Sequence, residues 1–524
     1  MSGDSPANRQ IARAAGTVML AFVFSQVIGL ARSILVAGRF GASAELDAFL
    51  AANRVSETLF LLVAGGALGS AFIPKFTEFL VKQEREKAWN LACAVGNLVL
   101  LVLSGLAVLT GVFAPQVVRY VLAPGFSADP AQLALTVHLL RIQLVASVLF
   151  GLGGLVVGIL NSHQVFLIPA LTPAMYQIGI IFGVLVLAPK MGIYGLAWGV
   201  VLGAGLYLGL QIPDLLKRGG FYRLTLGWGN SAVAEVVRLM GPRLLGVAVV
   251  QLNFWVNIWL ASRMAAGSVT ALSYGFALML MAQAAIAQSI ATAAMPTLAA
   301  QFALGQMEEL RASLASSLRG VLLLSLPAAA GLILLREPIV ALLYQRGQFD
   351  SRAVEMVAWA LLWYALGLVG HAVLEVLARA FYALHDTLTP VLVGVAAMTL
   401  NVLFSFLFSS LFQNLGLLPH GGLALANSLA TALEAVALFM LMRRRLQGID
   451  GKRLAAGFGQ ALAATAVLSV GVVAWLARTN GQPVYFTALG GTALGGLLYV
   501  LTCISLRVPE LTFLYSAIRS RLRG

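Results

Sequence analysis

FVFSQVIGLARSILVAGRFGASAELDAFLAANRVSETLFLL, residues 22–62, is apolar enough to enter a membrane, yet it carries Gln26, Arg32, Asp47, Arg54 and Glu57. Each charge placed within a bilayer costs about 2.5 kcal/mol or more, so partners or function must offset it. Ser25, Gly29 and Arg32 are spaced four and three apart and share one helical face. Asp47, Arg54 and Glu57, spaced seven and three, share a face on the next helix. Two neighbouring helices can point these polar stripes at each other or at a common cavity, and the rest of the chain reads as the housing of that cavity.

The 524 residues are 60% hydrophobic and only 10% charged, with a mean hydropathy of +0.91, outside the range of soluble domains. The class is an all-α polytopic membrane protein. Runs of about twenty apolar residues mark spanning helices, and fourteen can be read: 15–37, 46–72, 88–114, 133–159, 165–187, 192–212, 233–261, 270–298, 314–335, 354–378, 389–412, 421–442, 454–477 and 484–506. Cys93 and Cys503 lie far apart inside apolar runs and read as small packing residues, with no disulfide framework or metal site implied. The polar start, MSGDSPANRQIARAAG, leads into a helix too polar at Arg32 for a cleavable signal, so it reads as mature sequence.

A net charge of +14 could suggest nucleic acid, but the positions of the charges point to a membrane instead. The fourteen-helix pattern puts 23 of the 34 Lys and Arg residues on one side and 8 on the other, with Arg32, Arg54 and Arg141 inside helices. By the positive-inside rule the crowded side is cytoplasmic, and both termini with it. The basic clusters at 75–87, 217–223 and 443–453 are a solvated face suited to anionic lipid headgroups. The tail LTFLYSAIRSRLRG is expected to lie flat as an amphipathic helix.

An internal repeat recurs at a spacing near 222 residues. AFIPKF at Ala71 returns as AAMPTL at Ala293, Gly125 of LAPGF maps onto Gly347 of YQRGQF, and His163 maps onto His385; with a small drift, GLAWG at Gly195 returns as GLALA at Gly422. Helices 1–6 and 7–12 are therefore copies of one unit. Six is an even number, so both copies start on the same side and the repeat is parallel. The expected layout is a first lobe at 1–218, a second at 219–448, and helices 13 and 14 with the basic tail at 449–524. Two such lobes around a central cavity make an alternating-access transporter.

No P-loop, HExxH or GxSxG appears, and no loop is long enough for a catalytic domain, so an enzyme is not expected. His138, His163, His385 and His420 sit at helix ends and read as interfacial packing; His371 and Glu375, four apart, could share a hydrogen bond or relay a proton. Arg32, Arg54 and Arg141 carry more weight. Each lies a few turns below the outer surface in the first lobe, arginine keeps its charge, and its planar fork suits phosphate oxygens. Such a cavity wants an anion. The competing reading is internal pairing of Arg54 with Glu57 or of Arg32 with Asp47. Asn253, Asn257, Asn401 and Asn427 could ligate a cation or bond between helices.

GLARSILVAGRFGASAELDAFLAA, GGALGSAFIPKF, LAPGF, GILNSHQVFLIPALTP, MGPRLLGVAVVQLN, AGSVTALSYG and FYALHDTLTP together resemble, in order and spacing, the MurJ (MviN) family of lipid II flippases in the MOP exporter superfamily. The resemblance runs from helix 1 to helix 12. It implies two six-helix lobes plus two further helices, a groove for a lipid tail near those two, and movement of an undecaprenyl-pyrophosphate-linked peptidoglycan precursor to the outer leaflet of the bacterial cytoplasmic membrane. It also places Arg32, Asp47, Arg54 and Arg141 at charged family positions. Gln26 stands where the family usually has a second arginine, and the family's helix 8 arginine and glutamate are replaced in the segment Tyr274, Ala277 and Leu280.

The expected substrate site is thus Arg32, Arg54, Arg141, Asp47, Gln26 and Glu57, with a polyprenyl-pyrophosphate glycolipid as ligand. No cofactor is expected, and coupling would come from the membrane potential or a monovalent cation. The alternatives are a flippase for another polyprenyl-linked glycan, a drug/cation antiporter of the same superfamily, and a non-transporting scaffold.

Overall fold

The computed structural model of this protein describes residues 6–63 and 67–508. The expected amphipathic tail at 511–524 lies outside the described residues, as do Gly65 and Gly66. Where the residues are described, the apolar runs fall on helices, because a backbone with no water to bond must satisfy its own N–H and C=O groups. Among the described residues, twelve helices are long and apolar enough to cross a membrane. The Ala44–Val63 helix falls short of that measure by carrying Glu45, Asp47, Arg54 and Glu57 in twenty residues.

The chain forms two compact units, one of residues 1–269 with 346–349 and one of 270–345 with 350–524. The first holds α1 (Pro6–Phe40), α2 (Ala44–Val63), α3 (Ala67–Val81), α4 (Arg85–Val112), α5 (Pro130–Ser162), α6 (Leu167–Phe182), α7 (Ile193–Gly209) and α8 (Ser231–Ala261). Helix α5 is its centre, with α2, α3, α4 and α7 packed around it. Packing groups α8 with this unit, although the repeat assigns it to the second copy; kinship of sequence and compactness divide the chain at different places.

Residues of small volume bring α2 and α5 close. Ser56 Oγ donates to the Gln143 carbonyl at 2.7 Å and meets Ser147 Oγ at 2.6 Å, while Ser147 Oγ also donates to the Ser56 carbonyl at 3.2 Å. The phase of α5 follows from this contact. Asp129 starts the helix by accepting from the Ala131 N–H at 2.9 Å, with Pro130 at the first position, where its missing N–H costs nothing. Asp350 does the same for Ser351–Ala383 at 2.8 Å from the Ala353 N–H, and Pro74 and Pro296 both lie inside helices. The paired prolines of the AFIPKF and AAMPTL strings thus have the same helical setting.

Two glycines of the repeat pair seat loops on helix ends. A Cβ on Gly125 would lie 2.1 Å from the Ser262 carbonyl oxygen, and the Gly125 N–H donates to Ser262 Oγ at 3.1 Å. Gly347, at φ 58°, would place a Cβ 2.2 Å from the Gly38 carbonyl oxygen, and the Gln348 N–H donates to that oxygen at 2.9 Å. The Gly125 loop thus docks on the end of α8 and the Gly347 loop on the end of α1. The second of these contacts is why residues 346–349 belong to the first unit.

At the opposite end of α4, the segment 218–230 runs without helix along α4. Asn97 Nδ2 donates to the Arg223 and Thr225 carbonyls at 3.1 and 2.8 Å, and Tyr222 Oη donates to Asn97 Oδ1 at 2.8 Å. Cys93 Sγ donates to the Phe221 carbonyl at 3.2 Å and accepts from the Arg223 N–H at 3.3 Å, so this cysteine fastens a linker as well as filling space.

His163, just past α5, packs between Phe76 and Trp89. Burial, then the charges of Arg218 and Arg85, push its pKa below the ordinary 6.5. The unfolded chain therefore takes up this proton at a higher pH than the folded one. Its contribution to stability is complete above pH 6.5 and is lost as the pH falls from there toward the depressed folded value. The thermal midpoint in detergent should drop between pH 7.5 and 5.5, and His163→Gln should flatten that drop; an unchanged slope in the variant rules the mechanism out.

The second unit holds α9 (Ser268–Gln283), whose first two residues belong to unit one, α10 (Ser289–Ala303), α11 (Met307–Leu334), α12 (Ser351–Ala383), α13 (Leu388–Asn414), α14 (His420–Arg445), α15 (Gly451–Arg478) and α16 (Val484–Ser505). Its main core gathers Leu310, Leu314, Leu377, Phe381, Leu438 and Met442. A second core under α15 and α16 gathers Leu323, Leu468, Val472, Tyr499 and Cys503. His371 Nε2 meets Asn427 Oδ1 at 3.1 Å, while Glu375 takes Arg379 as its partner, with Nη2 at 2.8 Å and Nε at 3.1 Å. The expected His371 and Glu375 pairing thus resolves into two separate partnerships.

Candidate functional site

Burial along α2 singles out one face. Ala51, Ala52, Val55, Ser56 and Leu59 are buried, whereas Asn53, Arg54 and Glu57 are partly open. Arg54 Nη1 lies 3.0 Å from Glu57 Oε2, the pairing that i, i+3 spacing allows, and Asn53 Nδ2 donates to Glu57 Oε1 at 2.8 Å. The carboxylate is held by two donors on its own helix. The Arg54 guanidinium also stands 4.6 Å from the centre of the Phe254 ring on α8, a cation–π contact that helps hold a charge away from water.

Behind Arg54, α8 continues the cluster. Trp255 Nε1 donates to Thr58 Oγ1 at 2.9 Å, and Thr58 Oγ1 donates to the Arg54 carbonyl at 2.7 Å and reaches the buried Gln251 Oε1 at 3.4 Å. Tyr176 on α6, within the ring cluster of Phe150 and Tyr207, lies in electrostatic reach of both Arg32 and Glu57. Arg32 is half-buried on α1 and donates from Nη2 to Ser33 Oγ at 3.2 Å. Among the described residues it has no carboxylate within ion-pair distance. Two guanidiniums and one carboxylate thus share this part of the unit, and one of the guanidiniums is left with capacity for an anion.

The other expected site residues lie elsewhere. Asp47 is 2% exposed and its Oδ2 accepts from the Gly267 N–H at 2.7 Å, so it fastens the loop after α8. Gln26 is exposed on α1, six residues before Arg32. Arg141 does not join Arg32 and Arg54. Gln143 and Ser147 take the side of α5 that meets α2, and Arg141, two positions earlier, is turned about 200° away, where its Nε donates to the Gly111 carbonyl of α4 at 2.9 Å. Asn53, Gln251, Phe254 and Trp255 were not expected in the site; the polar residues of QLNFWVN inside an apolar run were the available signal. Asn257 Nδ2 donates to Asn253 Oδ1 at 3.4 Å along that same helix.

Arg32, Arg54 and Glu57 are thus charges carried inside a bundle of apolar helices, and known proteins share this fold. The family described as lipid II flippase MurJ matches residues 36–490. The lipid II flippase MurJ of Burkholderia cenocepacia is 32% identical over 439 residues, which covers 83% of this chain and 84% of that protein. The solved structure of a lipid II flippase MurJ in an inward closed conformation superposes with a TM-score of 0.80 at 24% identity, covering 94% of this chain and 99% of that one. A multidrug resistance MATE family transporter of the MOP superfamily superposes with a TM-score of 0.69 at 16% identity over 81% of this chain and 94% of that one, a likeness of fold. With more than four fifths of its length matched by family and relative alike, this chain belongs to the MurJ family of lipid II flippases.

Proposed function

We propose that this chain moves lipid II, the polyprenyl-pyrophosphate-linked peptidoglycan precursor, from the inner to the outer leaflet of the bacterial cytoplasmic membrane by alternating access. The observation that carries the reading is Arg32, a cation within the apolar α1 with no carboxylate in ion-pair distance among the described residues, which reaches Tyr176 electrostatically as Glu57 does, while Arg54 is already held by Glu57 and Phe254. A pyrophosphate supplies the missing counter-charge. Arg32 and Arg54 take its oxygens, and Glu57 keeps Arg54 in place when no lipid is bound.

The charge bias supports cytoplasmic termini, with the basic loops against anionic lipid headgroups. The repeat supports a first lobe at 1–218, a second at 219–448 and an added pair of helices from 449. Coupling is assigned to the membrane potential or a monovalent cation, without a cofactor. Complementation tests the reading: the chain should restore growth to a bacterium depleted of its own lipid II flippase, and Arg32→Gln, present in the membrane at equal amount, should not. Absence of rescue by the intact chain overturns lipid II as substrate and favours another polyprenyl-linked glycan.

A further inference from the structure

Arg141 has a setting of its own. With α4 it lines a groove of about 610 Å³ whose other walls include Ala107, Val108, Leu144, Val148 and Leu149. The guanidinium is exposed, only its Nε is bonded inside the protein, and no carboxylate among the described residues pairs with it. Four of its five N–H donors remain for something else. The bond to Gly111 places it against the last turn of α4, where a carbonyl lacks a helical partner and a cation is favoured. That capping role explains one donor and leaves the other four unexplained.

The surroundings describe a ligand that is apolar along its body and anionic at its head. His138, Arg141 and Val145, spaced three and four apart, are all exposed on one face of α5. Val108 and Val112 of the lining, and Leu109 beside them on α4, are exposed. His138 Nδ1 meets Tyr194 Oη at 3.4 Å, and the exposed Arg119 follows α4 at the same end of the unit. Side chains on a helix lean toward its N-terminus, so Arg141 reaches along α5 toward Pro130. That end is outer in the proposed orientation.

We infer that the groove between α4 and α5 is a binding site for an anionic phospholipid of the outer leaflet, whose phosphate sits on Arg141 and whose acyl chain lies along Ala107, Leu144 and Val148. The site is separate from the Arg32 and Arg54 cluster because it occupies the other side of α5 from Ser56 and Gln143. Charge complementarity selects the head: Arg141, with no acid among the lining residues, favours phosphatidylglycerol over zwitterionic phosphatidylcholine. The groove opens along its length between two apolar helix faces, so a membrane phospholipid, the commonest phosphate amphiphile at hand, fills it.

Native mass spectrometry of the full chain, titrated with phosphatidylglycerol and phosphatidylcholine, tests this. The expected result is a retained phosphatidylglycerol held at least tenfold more tightly than phosphatidylcholine. Arg141→Gln should weaken it at least tenfold, and so should Ala107→Phe, which fills the groove while leaving the bond to Gly111 intact and therefore decides the matter if Arg141→Gln fails to fold. Arg32→Gln should leave it unchanged. Equal binding of the two phospholipids, retention undiminished in Ala107→Phe, loss of phosphatidylglycerol in Arg32→Gln, or its displacement by equimolar undecaprenyl phosphate would each overturn the assignment.

Discussion

Arg32→Gln should leave folded protein in the membrane and weaken binding of a pyrophosphate lipid by about tenfold to a hundredfold. The reasoning is that a charge-assisted hydrogen bond contributes about 1.5–3 kcal/mol, and about 1.4 kcal/mol is a factor of ten. Among the described residues Arg32 makes its one hydrogen bond to the neighbouring Ser33, so its loss leaves little of the packing unmade. Lysine at the same position should rescue only in part, since a point charge lacks the bidentate fork. Arg54 differs because it is built into the bundle by Glu57 and Phe254. Arg54→Ala should lower both folded yield and lipid binding, and Arg54→Ala with Glu57→Ala should recover yield alone. Were the double variant to regain full binding as well, Arg54 would be a structural partner and would drop out of the site.

A methyl group at Gly125 should be among the most damaging small changes in the first unit. Its Cβ would stand 2.1 Å from the Ser262 oxygen, 2.3 Å from the Ser262 carbonyl carbon and 2.6 Å from the Arg263 nitrogen. All three are backbone atoms, so no rotamer change relieves the contact, and overpacking of this kind costs roughly 1–3 kcal/mol or more. Gly347→Ala meets a similar obstacle at the Gly38 carbonyl and adds roughly 1–2 kcal/mol for a left-handed φ of 58°. The contrast is Gly105 inside α4, where a Cβ meets nothing within 4 Å. There alanine should be neutral or stabilising by about 1 kcal/mol, as an exposed helix interior favours it. Thermal midpoints of detergent-solubilised variants decide this: if Gly125→Ala and Gly105→Ala melt alike, the docking of the 122–126 loop on the end of α8 contributes nothing.

Much of the fold was readable because its causes are local. Hydropathy over about twenty residues marks a spanning helix whatever surrounds it, and twelve such helices stand among the described residues. The 222-residue spacing was read from strings such as AFIPKF and AAMPTL, whose Pro74 and Pro296 both lie inside helices. The Arg54 and Glu57 pair followed from spacing alone, because i, i+3 neighbours meet on any helix.

Tertiary structure alone decided where each charge points. Arg141 has the depth expected of a cavity arginine, but the close fit of Ser56 against Ser147 and Gln143 sets the rotation of α5 and turns it toward α4. Asp47 shares a helical face with Arg54, yet it is taken by the backbone of Gly267 more than two hundred residues away. Phe254 and Trp255 reach the cluster because α8 packs in the first unit, a choice made by complementarity of whole helix surfaces. Periodicity fixes which residues of one helix share a face; which neighbour that face meets depends on packing across the bundle, and no window of a single helix contains that information.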